Sequence, residues 1–119
     1  MAKHNELGQT GEVLARRYLE EKGYKVLECN WRYRRAEIDL ICWDGSILVF
    51  VEVKTRSSDL FGHPASKVNA RKEALMVEAA GIYMEQIEHE WEFRFDIVSV
   101  LLSPSKEAKI EHFEDAFYN

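Results

Sequence analysis

The sequence contains no run of about 18 uncharged apolar residues, so no helical membrane span is expected. Its first residues, MAKHNELGQTGE, lack the apolar core of a signal peptide; the expectation is a cytoplasmic protein with no membrane partner. Only two prolines occur and 46% of residues are hydrophobic, a balance that argues against disorder. The two cysteines, Cys29 and Cys42, lie in apolar strand-like segments without CxxC spacing, so buried, reduced thiols are expected rather than a disulfide or a zinc site. Neither a P-loop nor a GxGxxG stretch is present, which speaks against a nucleotide cofactor. The four histidines show no ligand spacing; only His63, in FGHP, falls beside a loop of functional interest. Trp31, Trp43 and Trp91 read as packing residues rather than base-stacking platforms. No repeat or linker divides the 119 residues, so one domain, residues 1–119, is expected.

A net charge of −5 works against generic nucleic-acid binding. The charge is unevenly spread. Residues 1–72 hold 13 Lys+Arg against 10 Asp+Glu, a net of +3, whereas residues 73–119 hold 3 against 11, a net of −8. The first part can face phosphates and the second should not, although ordinary solvated faces account equally well for both.

Helical spacing of Val13, Leu14, Ala15, Tyr18 and Leu19 predicts a helix from Gly11 to Lys22, with Gly8 to Gly11 as a loop-like start and Gly23 as the stop. YKVLECNW, 24–31, alternates as a strand. EIDLICWDGSILVFVEVK, 37–54, reads as a hairpin turning at Asp44-Gly45. Residues 55–65 are expected as a loop. Ser66 is placed to cap a helix running to Gln86, with Val68, Leu75, Met76, Ala79, Ala80 and Tyr83 as its buried stripe. EFRFDIVSVLL, 92–102, alternates again, and a short strand near Ile110 follows. The order is α-β-β-β-α-β-(β), an α/β fold with a central mixed sheet flanked by helices.

The hairpin carries Glu37, Asp39, Glu52 and Lys54 in otherwise apolar strands. A turn at Asp44-Gly45 pairs Ile41 with Leu48, Asp39 with Phe50 and Glu37 with Glu52. One face then holds Glu37, Asp39, Ile41, Leu48, Phe50, Glu52 and Lys54, and the other holds Ile38, Leu40, Cys42, Ile47, Val49, Val51 and Val53. Asp39 and Glu52 become diagonal neighbours within about 8 Å. Burying even one unpaired carboxylate costs several kcal/mol, roughly, unless it is paired, neutralised or bound to a cation. Mg²⁺ needs only one or two carboxylates and completes its shell with water and phosphate. Spacing alone is equally consistent with an exposed Glu37 and an ordinary Glu52–Lys54 ion pair.

An Asp at the end of one strand followed by Glu-x-Lys on the next resembles the PD-(D/E)XK nuclease superfamily, with Asp39 as the first acid and Glu52-Val53-Lys54 as the E-x-K. Glu12 matches the glutamate on the preceding helix in the Holliday-junction-resolvase branch. GE at 11–12, NWRYRRAEIDLI at 30–41, LVFVEVKTR at 48–56 and RFDIV at 94–98 resemble, more closely, the YraN-like family of bacterial proteins. One departure is Ala36, where that family usually has glycine before EIDLI; if the position needs φ > 0, alanine costs ~1 kcal/mol there. The resemblance implies a restriction-endonuclease-like core and phosphodiester hydrolysis of nucleic acid, with DNA, branched or processed, as the expected partner. It implies Mg²⁺ or Mn²⁺ held by Asp39, Glu52 and the Val53 carbonyl, with Glu12 directly or through water and Glu37 as a weaker ligand, water-orienting group or partner for an arginine. Lys54 would position the attacking water or stabilise the charge on phosphorus. Arg32, Arg34, Arg35, Arg56, Lys67, Arg71 and Lys72 are candidates for a phosphate-tracking rim, with solvated surface as the plain alternative. Analogy with the resolvases raises a homodimer. Two other functions stay open: a nucleic-acid-binding module that keeps the fold without catalysis, and a protein-interaction domain whose EQIEHEWEFRFD stretch contacts a basic partner.

Overall fold

The computed structural model describes residues 2–57, 70–104 and 106–118, with side chains described from Thr10 onward except at Lys106. Helix α1 spans Ala2–Glu21, followed by strands β1 (Lys25–Tyr33), β2 (Ala36–Asp44) and β3 (Ile47–Arg56), helix α2 (Ala70–Gln86), and strands β4 (Phe93–Ser103) and β5 (Lys106–Phe117). The five strands form one sheet in chain order. All neighbours are antiparallel except β3 and β4, which run parallel. Parallel strands need a crossover, and α2 lies in that connection. His63, Ser66, Lys67 and Val68 lie outside the described residues. Among the described residues no helix is long and apolar enough to cross a membrane.

Each face of the sheet is covered by one helix. Ala15 and Leu19 of α1 pack on Leu40, Cys42, Val49, Val51, Val98 and Val100. Met76, Ala79, Ala80 and Tyr83 of α2, spaced three and four apart on one stripe, pack on Ile41, Leu48, Phe50, Phe95 and Ile97. With both surfaces buried, the central strands read as nearly continuous apolar runs.

Several expectations need correction. Helix α1 does not begin at Gly11 but runs through it from Ala2. Gly11 is needed for contact, since a Cβ there would sit 1.8 Å from Thr55 Oγ1 and 2.8 Å from Thr55 Cβ on β3. Its bare backbone lets α1 lie directly on the strand that carries Glu52. The helix ends as expected at Gly23 (φ 97°), where Tyr24 N donates to Leu19 O and Gly23 N to Glu20 O in a Schellman arrangement. The hairpin loop is Gly45-Ser46 rather than Asp44-Gly45, with Asp44 opposite Ile47, Trp43 opposite Leu48 and Ile41 opposite Phe50. Gly45 takes φ 61° at the first loop position, as a type II′ turn requires, while Asp44 stays extended in β2. The register therefore moves by two residues, which preserves the faces of the paired residues.

Strand β5 is 12 residues long rather than a short strand near Ile110; a register irregularity opposite Phe95–Ile97 and positive φ at Asp115 (53°) interrupt its alternation. Ala36 is buried and is not among the residues with positive φ, so it carries no left-handed strain. Cys42 is a buried free thiol, but Cys29 is exposed and accepts a hydrogen bond from Arg16 at 3.1 Å. Trp31 and Trp43 pack against the core, whereas Trp91 is 72% exposed.

Gly11→Ala should lower stability by ~1–3 kcal/mol, the usual penalty for overpacking a filled contact, because rotating Thr55 leaves its Cβ in the way. Urea denaturation of variant and parent measures it; an unchanged midpoint would show that α1 does not press on β3.

Candidate functional site

The acids gather where the β2–β3 ladder ends. The last paired residues are Leu40 and Val51. One step on, Asp39 Oδ2 accepts a hydrogen bond from Val53 N at 2.7 Å, so a side chain takes the place of the missing ladder partner. The alternation of side chains also breaks here. Ile38 packs on the α2 side with Ile41, whereas Leu40 faces α1, which corrects the expected grouping of Ile38 with Leu40 and Cys42. Strand β1 changes sides at the same level. Cys29 pairs with Leu40 and Trp31 with Ile38, which leaves Asn30, in left-handed conformation (φ 53°), across from Asp39. Asparagine is among the few residues that tolerate that conformation.

Glu52 is 3% exposed, and its Oε2 accepts a hydrogen bond from the Lys72 ammonium of α2. Its Oε1 is buried and accepts no hydrogen bond among the described residues. Lys72 was expected on a phosphate-tracking rim; the structure instead turns it into the acid cluster. Burial opposes its charge, but the bond to Glu52 outweighs this and raises its pKa above the usual lysine value. Burial, reinforced by the Glu52 charge, pushes the Asp39 carboxyl up to about 7 despite the stabilising Val53 N–H. Glu12 reaches the cluster's edge from α1. Burial raises its pKa as well, against a hydrogen bond from Asn30, and it feels the charges of Glu37 and Glu52.

The arrangement fits a two-carboxylate cation site better than a larger cage. Among the described residues no three His, Cys, Asp or Glu side chains converge as a ligand set. Asp39 and Glu52 with one backbone carbonyl would suffice for Mg²⁺ or Mn²⁺, because the ion keeps most of its waters. The N–H and C=O of a strand residue face the same neighbour. Val53 N points to Asp39, so the Val53 carbonyl is on that side too. The buried, unbonded Glu52 oxygen is the feature that an ion would satisfy.

The remaining predicted residues scatter around this centre. Lys54, half-buried, follows Glu52 by two and shares its face of β3. Glu37 makes an ion pair with Arg32 at 3.5 Å, with Arg32 74% exposed. Arg34 and Arg35 are exposed in the β1–β2 turn, and Arg34 stacks over Tyr33 at 5.2 Å. Arg56 is half-buried at the end of β3, and Arg71 is exposed in the first described turn of α2. The acidic stretch divides: Glu85, Glu88, Glu90 and Glu92 are exposed around Trp91, but Phe95 and Asp96 are buried in β4. A cleft of about 870 Å³ lined in part by Trp43, His89 and Trp91 opens at the hairpin-turn end of the sheet, away from the acids.

A second buried acid escaped the sequence reading. Asp96 is fully buried on the α1 face and accepts from Arg94 Nε (3.0 Å), His112 Nε2 (2.7 Å) and Asp115 N (3.0 Å). Burial opposes its charge, yet these partners hold its pKa below the usual carboxylate range. Lys22 donates to His112 Nδ1 at 2.8 Å, which fixes the ring proton on Nε2, and Arg94 also holds Asp44 and the Tyr24 hydroxyl. This acid is fully paired and ties β4 and β5 to the β2 end, so it is a structural counterpart to Glu52. An acid inside the apolar run FDIVSV was its available signal.

The model described as "Uncharacterised protein family UPF0102" matches residues 11–100. The chain belongs to the UPF0102 family. A UPF0102 protein of Flavobacterium psychrophilum is 50% identical, covering 100% of this chain and 99% of the relative. One from Christiangramia forsetii is 45% identical over 99% and 98%, and one from Thermodesulfovibrio yellowstonii 43% over 95% and 96%. The UPF0102 match takes in Glu12, Asn30, Asp39, Glu52 and Lys72, as well as Arg94 and Asp96, but stops before His112.

Because the folded-state pKa of Asp39 lies above its unfolded value of 3.8, the fold retains the proton. This contribution favours folding in full below about pH 4 and is lost as pH rises through 7. Asp39→Asn keeps an acceptor for Val53 N and removes the titration. Metal-free, the variant should gain more stability over the parent at pH 8 than at pH 5. Denaturant midpoints at the two pH values test this, and a pH-independent gain contradicts it.

Proposed function

We propose that this UPF0102 protein is a divalent-metal-dependent phosphodiesterase acting on nucleic acid, with DNA as its expected substrate. The observation that carries the reading is Glu52: a buried carboxylate with one oxygen unbonded among the described residues, beside an Asp39 carboxyl anchored to the Val53 backbone. Asp39, Glu52 and the Val53 carbonyl would hold Mg²⁺ or Mn²⁺, which lowers the pKa of a bound water and neutralises phosphate when present. Anchoring by Val53 N holds the Asp39 carboxyl in place before any ion arrives, which spares reorganisation at the reaction step. Lys54, two residues beyond Glu52 on a paired strand, would donate to the attacking water or to a phosphate oxygen. Glu12, held by Asn30, would orient a second water at the cluster's edge. Arg34, Arg35 and Arg71 supply exposed positive charge that fits a phosphate backbone.

The Lys72–Glu52 ion pair supports one second reading, a nucleic-acid-binding module whose acid pair is neutralised internally and which does not cut. Both readings require the exposed arginines, and only the first requires a metal.

Glu52→Ala, with its fold checked by circular dichroism, should lose metal-dependent cleavage of linear and branched DNA by at least about 100-fold, the scale of removing one preorganised electrostatic group. Cleavage that survives in this variant, or that persists in chelator, contradicts the hydrolase. Arg34→Ala/Arg35→Ala should weaken DNA binding and make the slope of log affinity against log salt shallower by roughly 2. An unchanged slope removes the β1–β2 turn from the interface.

A further inference from the structure

Glu52 accepts a hydrogen bond from Lys72, on a helix that sits across from the strand. Lys72 lies near the start of α2, and its side chain is 48% exposed, so the ammonium spans the buried acid and the surface. A lysine stem is long and freely rotating, and its ammonium is a point charge with no geometric demand. It can leave Glu52 without disturbing α2, whose buried stripe begins at Met76.

A divalent ion between Asp39 and Glu52 would lie a few ångströms from that ammonium. Repulsion between a double and a single positive charge at such range exceeds what one ammonium–carboxylate bond returns. The two cations therefore compete for the same carboxylate. Once displaced, the ammonium has solvent on its exposed side and Arg71 as its exposed neighbour, where a nucleic-acid phosphate is its natural partner.

We propose that Lys72 is a built-in, displaceable counter-ion. It neutralises Glu52 in the metal-free protein, yields to the divalent ion, and then contacts substrate phosphate. The idea rests on the metal-site reading above and adds a regulation to it: because binding free energies are reciprocal, phosphate that captures the released ammonium tightens the metal, and metal tightens nucleic acid. Lys54, fixed on a paired strand, would keep its place throughout.

Amine labelling of the full chain by an N-hydroxysuccinimide ester, read by peptide mass spectrometry at fixed pH, tests the exchange, with exposed Lys25 as internal reference. Saturating Mg²⁺ should raise Lys72 labelling severalfold relative to Lys25; an unchanged ratio overturns the exchange. Lys72→Met supplies a second readout by Mn²⁺ titration. Its metal-free melting temperature should fall below the parent's, while its Mn²⁺ affinity rises about 10-fold or more, as expected for removing one adjacent positive charge. Mn²⁺ binding in both proteins with equal or weaker affinity in the variant overturns the exchange alone. Absence of Mn²⁺ binding in both overturns the metal site and the exchange with it.

Discussion

Glu52 places a carboxylate where water cannot solvate it, on the central strand of a sheet buried on both faces. Such a charge costs several kcal/mol, roughly, unless something positive approaches it. One of its oxygens has that partner in Lys72, and the other has none among the described residues. Asp39 then joins it on the adjacent strand, and burial, reinforced by the Glu52 charge, pushes its carboxyl up to about 7. Cation demand is thus built into the sheet, and the neighbouring elements either meet it or leave room for it.

The surrounding architecture serves to hold those acids at one place. Gly11 brings α1 down onto Thr55, three residues beyond Glu52, and carries Glu12 with it. The left-handed Asn30 lets β1 and β2 change sides together, which frees Asp39 from ordinary pairing and aims its carboxyl at Val53 N. At the far side of the same sheet, Asp96 shows what a purely structural buried acid needs: hydrogen bonds from three residues, Arg94, His112 and Asp115. The contrast between a fully paired acid on β4 and Glu52 on β3, one oxygen of which has no partner among the described residues, separates scaffold from candidate chemistry.

Much of this was legible beforehand, for identifiable reasons. Side chains in strands alternate with period two, so the faces of Glu52 and Lys54 survived an error of two residues in the hairpin register, whereas the break in alternation at Asp39 left no mark in the pattern. That error arose because both Asp-Gly and Gly-Ser suit tight turns, and only the backbone decides that Gly45 opens the loop. Gly11 looked like a helix breaker because close packing and flexibility call for the same residue. Strand β5 read as short because the left-handed Asp115 shifts its apolar phase between Ile110 and Phe117. Lys72 could not be placed, since which way the first turn of a helix faces depends on a crossover whose path the sequence pattern does not encode. The pairing of Asp96 with His112 joins residues on separate strands, and no local spacing announces it.

Anomalous diffraction from crystals soaked in Mn²⁺ tests the central claim most directly. The account predicts a peak bounded by the Asp39 and Glu52 carboxylates and the Val53 carbonyl, with the Lys72 ammonium withdrawn from Glu52. No peak there at saturating Mn²⁺, with Lys72 still seated on Glu52, would contradict it.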